Sequence, residues 1–179
     1  MESRLVNIII GSAGGTAGAG SKTYKLSLPS AWINELGINE DDRQVKLSFD
    51  GQKIVISRKY SMDEFKEQAL AENHLLYSVE YYDDNNLCSM IYADFTDEEL
   101  QVENYTDTLI KTAFGRNETP VWSDFTEFLE DRCVPRQRAG LNEYLDALGI
   151  DEYDPFEIVK RTSGRMAEDR QWIKVEELK

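Results

Sequence analysis

Residues 75–105 read LLYSVEYYDDNNLCSMIYADFTDEELQVENY. Runs 75–82, 87–95 and 99–105 alternate apolar and polar side chains, the period of a strand with one buried face. Asp83-Asp84-Asn85-Asn86 and Thr96-Asp97-Glu98 lie between them and have turn composition. The stretch predicts a three-stranded antiparallel meander. It sits in a longer span, residues 67–110, that holds eleven acidic residues and no Lys or Arg. Leu75, Tyr77, Val79, Tyr81, Ile91, Phe95, Leu100 and Val102 give the span apolar area to bury, which a disordered acidic tail lacks. The expectation is a folded surface of one sign, which repels nucleic acid and attracts basic proteins.

Helical signals flank the meander. Ser61 and Glu64 have capping-box spacing at the head of a helix over 61–72. After Pro120, Ser123 is placed to cap a helix that carries Phe125, Phe128 and Leu129 on one side and ends before Pro135. Residues 136–148 set Leu141, Tyr144, Leu145 and Leu148 at helical spacing, with Gly149 as the stop. Asp154-Pro155 is an N-cap followed by a first-turn proline, opening a helix through Phe156, Ile158 and Val159. Trp172, Ile173 and Val175 predict a closing strand or an extended tail. The fold class is α+β.

Residues 1–60 have a different character. Residues 4–10 and 23–28 read as short strands, separated by a flexible glycine loop, GSAGGTAGAG, over 11–20. Pro29 ends the second strand, Ser30 is placed to cap a short helix, and Gly37 stops that helix. Residues 45–49 and 53–58 read as a hairpin about Asp50-Gly51. Charge follows the same division. Residues 1–60 hold eight basic and six acidic side chains, 61–131 hold three and eighteen, and 132–179 hold nine and ten. We expect three modules: 1–60, an acidic helix and sheet over 61–119, and helices over 120–179 packed on the sheet. Only the first is suited to approach DNA unaided.

Several function classes are disfavoured. The apolar run at 5–10 is short and holds Asn7, so a signal peptide is not expected, and no run approaches a membrane span. Cys88 and Cys133 read as buried free thiols of a cytoplasmic protein. The loop before Lys22 fails as a phosphate loop. Ser21 separates Gly20 from the lysine, and a strand follows where a helix is needed. His74 is the one histidine, so no second imidazole completes a metal cluster or a catalytic dyad, and it reads as a surface or helix-end residue. No catalytic residue, cofactor or metal is expected.

Residues 20–59 carry a resemblance. GSKTYKLSLP at 20–29, SAWINELGI at 30–38, the acidic turn NEDD at 39–42 and VKLSFDGQKIVI at 45–56 resemble the AbrB/MazE/SpoVT swapped-hairpin family. That pattern is strand, proline, short helix ending in LG, acidic turn, and hairpin ending in IVI. The resemblance implies an obligate homodimer whose hairpins exchange into one small β-barrel. It also implies double-stranded DNA contacts near the first strands, here Arg4, Lys22, Thr23, Lys25 and Arg43. The long glycine loop, and Gly20-Ser21-Lys22 in place of the usual Gly-Arg, depart from the pattern, so a dimerisation module without strong DNA affinity stays open. Segments 132–136 and 164–169 resemble uncharacterised proteins of Gram-positive mobile elements, some encoded beside toxins.

The expected function is a non-enzymatic inhibitor in which the first module dimerises and the acidic sheet grips a basic protein. Asp83, Asp84, Asp94, Asp97, Glu98, Glu99 and Glu103 are the expected partner-binding residues. The partner is a toxin, making the chain an antitoxin, or a CRISPR nuclease with its basic nucleic-acid channels, making it an anti-CRISPR protein. The alternative is a plain AbrB-type transcriptional regulator. Arg132, Arg136, Arg138, Lys160, Arg161 and Arg165 either form a basic face or pair with the acidic sheet, and pairing is favoured.

Overall fold

Short strands that cannot bury a core by themselves open the chain. The computed structural model describes residues 2–12, 20–49 and 51–179, and the chain divides into two units, Met1–Lys59 and Tyr60–Lys179. In the first unit β1 (Ile9–Ser12) pairs antiparallel with β2 (Lys22–Lys25), placing Ile10 opposite Tyr24. Helix α1 (Ser30–Glu35) follows Pro29 directly, so Ser30 is the first helical residue and provides no side-chain cap. Gly37 takes φ +70° just beyond it, a turn that favours glycine. Strands β3 (Val45–Phe49) and β4 (Ile54–Arg58) form the expected second hairpin, with Leu47 opposite Ile56 and Phe49 opposite Ile54. Each hairpin is a separate two-stranded sheet, and neither closes into a barrel within the chain. Most of the expected glycine loop, residues 13–19, and Asp50 of the expected turn lie outside the described residues. No described residue of this unit is buried.

The second unit begins with α2 (Met62–Ala71). Its capping box is complete: the Glu64 amide donates to the Ser61 hydroxyl and the Ser61 amide donates to the Glu64 carboxylate. Strands β5 (Leu76–Asp83), β6 (Asn86–Asp94) and β7 (Glu99–Asn104) form the meander. Helices α3 (Trp122–Asp131), α4 (Leu141–Leu148) and α5 (Pro155–Thr162) follow, and β8 (Gln171–Glu177) ends the unit. The sheet is four-stranded, not three-stranded, in the order β7-β6-β5-β8, all antiparallel. The correction has a simple cause. The outer edge of β5 would otherwise leave a row of backbone groups unpaired, and β8 takes it, with Val175 opposite Val79 and Ile173 opposite Tyr81.

Alternation decides what each face buries. Tyr77, Val79, Tyr81, Ile91, Ala93, Leu100 and Ile173 form a core with Phe125, Phe128 and Leu129 of α3, Leu145 of α4, and Phe156, Ile158 and Val159 of α5. On the opposite face Leu76 packs with Phe65 and Ala69 of α2. Residues 61–119 and 120–179 thus share one core. Two helix starts differ from expectation. Helix α3 begins ahead of Ser123 because the Asp124 carboxylate accepts from the Val121 amide at 2.7 Å. Helix α4 starts at Leu141 rather than 136, after Gly140 at φ +75° breaks the helical path.

Arg132, just past α3, ties three segments together. Its guanidinium donates to the Gly164 carbonyl (2.9 Å), to both carboxylate oxygens of Asp169 (2.6 and 3.1 Å) and to the Gln171 carbonyl (2.8 Å). Bidentate pairs of this kind fix geometry as well as charge. The bond from Arg132 holds the Asp169 carboxyl below its ordinary 3.8. We expect Arg132→Ala to lower unfolding stability by about 2–3 kcal/mol, because four acceptor atoms on three residues lose their donor. Asp169 remains one-third exposed, which keeps the loss below that of a fully buried pair. Urea unfolding at pH 7 measures it. A loss under about 0.5 kcal/mol, the size of an ordinary surface change, would show that the tie contributes nothing.

Candidate interaction surfaces

The acidic residues of the meander separate into two groups. At the β5–β6 turn, Asp83 pairs with Lys111 at 2.6 Å and Asp84 with Arg170 at 2.8 Å. Asp84 occupies the turn at φ +54°, and its carbonyl accepts from the Trp172 indole. Glu80 pairs with Lys174 at 3.1 Å and accepts from the Tyr82 hydroxyl. The cations come from segments outside the basic-free span and neutralise this end of the sheet. Of the expected partner-binding residues, Asp83 and Asp84 are therefore already engaged.

The β6–β7 end is different. Asp97, Glu98 and Glu99 are exposed, and among the described residues no Lys or Arg pairs with them. Glu98 stands at φ +55° at the tip of the turn. Glu103 of β7 is also exposed and accepts from the Tyr105 hydroxyl at 2.6 Å. That bond, with burial added, pushes the Tyr105 phenol up to about 12. Glu98 also borders a cleft of about 810 Å³ lined by Trp122, Ser123, Thr126, Glu127, Glu130 and Asp131 of α3. Glu130 is paired with Arg136 at 2.6 Å, while Glu127 and Asp131 add exposed charge. The polar outer face of α3 is visible in its spacing, but its position beside the β6–β7 turn is tertiary and was missed.

Asp94 corrects the sequence expectation. It is only 3 % exposed, so it is no docking residue. One carboxylate oxygen accepts from the Thr96 amide (2.8 Å) and the Asp97 amide (3.3 Å), shaping the turn, and the other lies 2.6 Å from His74 Nδ1. His74 follows α2, its amide donating to the Ala69 carbonyl. It is a half-buried residue among carboxylates: Nε2 is 3.4 Å from Glu72, and Nδ1 is 3.9 Å from Asp97. The cluster is not visible as a sequence motif, because the aspartate partners of His74 lie 20 and 23 residues downstream.

The basic residues are dispersed. Arg4, Lys22, Thr23, Lys25 and Arg43 are all exposed. Strand alternation sets Thr23 and Lys25 on one face of β2 and Lys22 with Tyr24 on the other. Arg4 borders a second cleft, of about 440 Å³, with residues 5–7 and 27–29. The helical-module cations pair among neighbours rather than with the sheet as expected: Arg136 with Glu130, and Lys160 and Arg161 with Glu157. Arg165 lies over the Trp172 ring, which stacks on Tyr82. Both cysteines are buried and free, and burial pushes the Cys133 thiol up to about 12.

No protein-family model, curated protein or solved structure matches the chain.

The hydrogen bond to Asp94 is the main cause that raises the His74 pKa above its ordinary 6.5. Burial opposes it, and the charges of Asp94, Asp97 and Glu72 add to it. The sign follows from linkage. Stability from this pairing is fully present below pH 6.5 and fades as pH rises through the folded-state value. As the one imidazole in the chain, His74 gives an unambiguous NMR titration. Its midpoint is expected above 6.5 in the parent and lower in Asp97→Asn. An identical midpoint in the two would remove Asp97 from the cluster.

Proposed function

We propose that the protein is a non-enzymatic inhibitor that dimerises through residues 1–59 and uses the open acidic end of residues 60–179 to bind a basic, nucleic-acid-binding protein. The carrying observation is the asymmetry of the acidic surface. The β5–β6 end is neutralised from within, whereas Asp97, Glu98, Glu99 and Glu103, with Glu127 and Asp131 of α3, keep their charge facing solvent. Acidic clusters accelerate association with a basic partner and select against anionic ones. The Trp122 wall of the cleft supplies aromatic area of the kind that concentrates binding energy. A toxin or a CRISPR nuclease has the complementary surface, because each is built to hold nucleic acid.

Dimerisation is supported by what the first unit leaves uncovered. Phe49, Ile54 and Leu47 are 70, 69 and 65 % exposed and share one face of the β3–β4 hairpin. Ile8, Ile10 and Tyr24 are about as open. Soluble monomers rarely present so much clustered apolar surface. A second copy, exchanging hairpins as in the swapped-hairpin family, covers it and gives the unit the core it otherwise lacks. In that arrangement the exposed Lys22, Lys25 and Arg4 of two copies add up to a modest DNA-binding set, strongest at low salt.

Two outcomes test the proposal. Light scattering should give twice the chain mass of 20.6 kDa. The double variant Leu47→Glu/Phe49→Glu should run as a monomer while keeping the thermal transition of the second unit. A monomeric parent at micromolar concentration would end the dimer reading. For the acidic end, inhibition of DNA or RNA cleavage by the partner is the readout. Asp97→Asn/Glu98→Gln/Glu99→Gln should weaken inhibition about tenfold or more and flatten its salt dependence. Asp83→Asn/Asp84→Asn should inhibit like the parent. Equal inhibition by both variants would reduce the acidity to a solubility device.

A further inference from the structure

We propose that His74, Asp94 and Asp97 form a binding site for a divalent transition-metal ion of the zinc type. The three donors come from two segments, the 72–75 link between α2 and β5, and the end of β6 with its following turn. Nδ1 of His74 and one carboxylate oxygen of each aspartate lie within 4.8 Å of one another. One imidazole nitrogen with two carboxylate oxygens is a borderline donor set. It favours zinc, manganese or nickel over calcium and magnesium, which prefer oxygen alone.

The separations leave a small adjustment to make. Nδ1 is 2.6 Å from Asp94 Oδ2 and 3.9 Å from Asp97 Oδ2. Donors bound tetrahedrally to zinc at about 2.0–2.1 Å sit roughly 3.3 Å apart. The first gap must open and the second close, each by about 0.6–0.7 Å on that geometry, and the two aspartate oxygens, within 4.8 Å of each other, must settle at the same spacing. The Asp97 side chain is 62 % exposed and able to move by that much. The surrounding groups suit the task. Asp94 Oδ1 is held by the Thr96 and Asp97 amides, and Oδ2, which now faces His74 Nδ1, is free to turn to the ion once Nδ1 releases its proton to solvent. Glu72 stands 3.4 Å from Nε2, so with Nδ1 on the metal the Nε2 proton has a carboxylate to donate to. That carboxylate–imidazole–metal order orients ligating histidines and strengthens them as donors. Two carboxylates neutralise a dication, and residues 67–110 contribute no Lys or Arg to oppose it. With the His74 and Asp94 side chains 15 and 5 % exposed and Asp97 open, the site has a walled side and a solvent side. Water then completes the coordination.

The test uses the full chain, stripped with a chelator and titrated with zinc chloride at pH 7.5. Calorimetry should give one ion per chain, and the ring signals of His74 should shift in step and return on adding EDTA. Asp97→Asn, a change at an exposed turn, should weaken binding about tenfold or more, and Glu72→Gln about tenfold. His74 ring signals unmoved by excess zinc would overturn the site. So would zinc binding equally tight in parent and Asp97→Asn, which would place the ion elsewhere, for instance on the cysteines. Circular dichroism on both variants separates lost ligation from lost fold.

Discussion

Strand β5 is the constraint on which the second unit depends. It is an inner strand of the four-stranded sheet, between β6 and β8, with helices over both faces. Leu76 and Val79 are fully buried on opposite sides, so every residue between them is committed to a face by its parity. A one-residue slip would turn Val79 and Tyr81 out of the main core and bring Glu80 into it. The charged pairs at its far end follow from that register. Glu80 stands opposite Lys174 because Val79 must stand opposite Val175. Burial fixes the pairing, and electrostatics then uses the positions burial leaves available.

Where local pattern governs, the sequence was readable. Ser61 with Glu64, Asp154 with Pro155, and the alternation of β5–β7 each specify structure through atoms a few residues apart. Phe125, Phe128 and Leu129 followed from helical spacing alone. The misses share a different cause. The place of β8 beside β5 joins residues almost a hundred positions apart, and nothing in Trp172–Val175 names its neighbour. Asp94 looked like one more exposed acid of an acidic turn. Its burial depends on His74 and on turn amides, which only the folded chain brings together. Arg132 was one of six cations expected to pair with the acidic sheet, yet it is a buried tie among three segments.

Acidity in this protein serves two ends, separated by geometry. At the β5–β6 end Lys111, Arg170 and Lys174 return from later parts of the chain to meet Asp83, Asp84 and Glu80. Partly exposed pairs of this kind contribute little stability, roughly 0–1 kcal/mol each, but they remove local charge. At the β6–β7 end no such return occurs among the described residues. Self-repulsion there is a cost to folding. A chain needing only solubility has no reason to neutralise one end and concentrate like charge at the other. The uneven distribution is therefore a stronger pointer to a binding surface than the net charge of −14.

The two units also differ in what stabilises them, and that difference bears on how the protein would behave under the proposed function. The second unit has its own core. The first has apolar strands and no described buried residue, so in the proposed dimer its order would be tied to association and therefore to concentration. The proposed dimer would present two acidic ends at once. A target with two basic surfaces, or two copies of a target, then meets the second end at an effective concentration set by the link between units rather than by free diffusion. Dilution below the dimer's dissociation constant removes that gain while leaving each acidic end intact. On the proposed reading potency would depend on assembly, while recognition would stay with the single acidic unit.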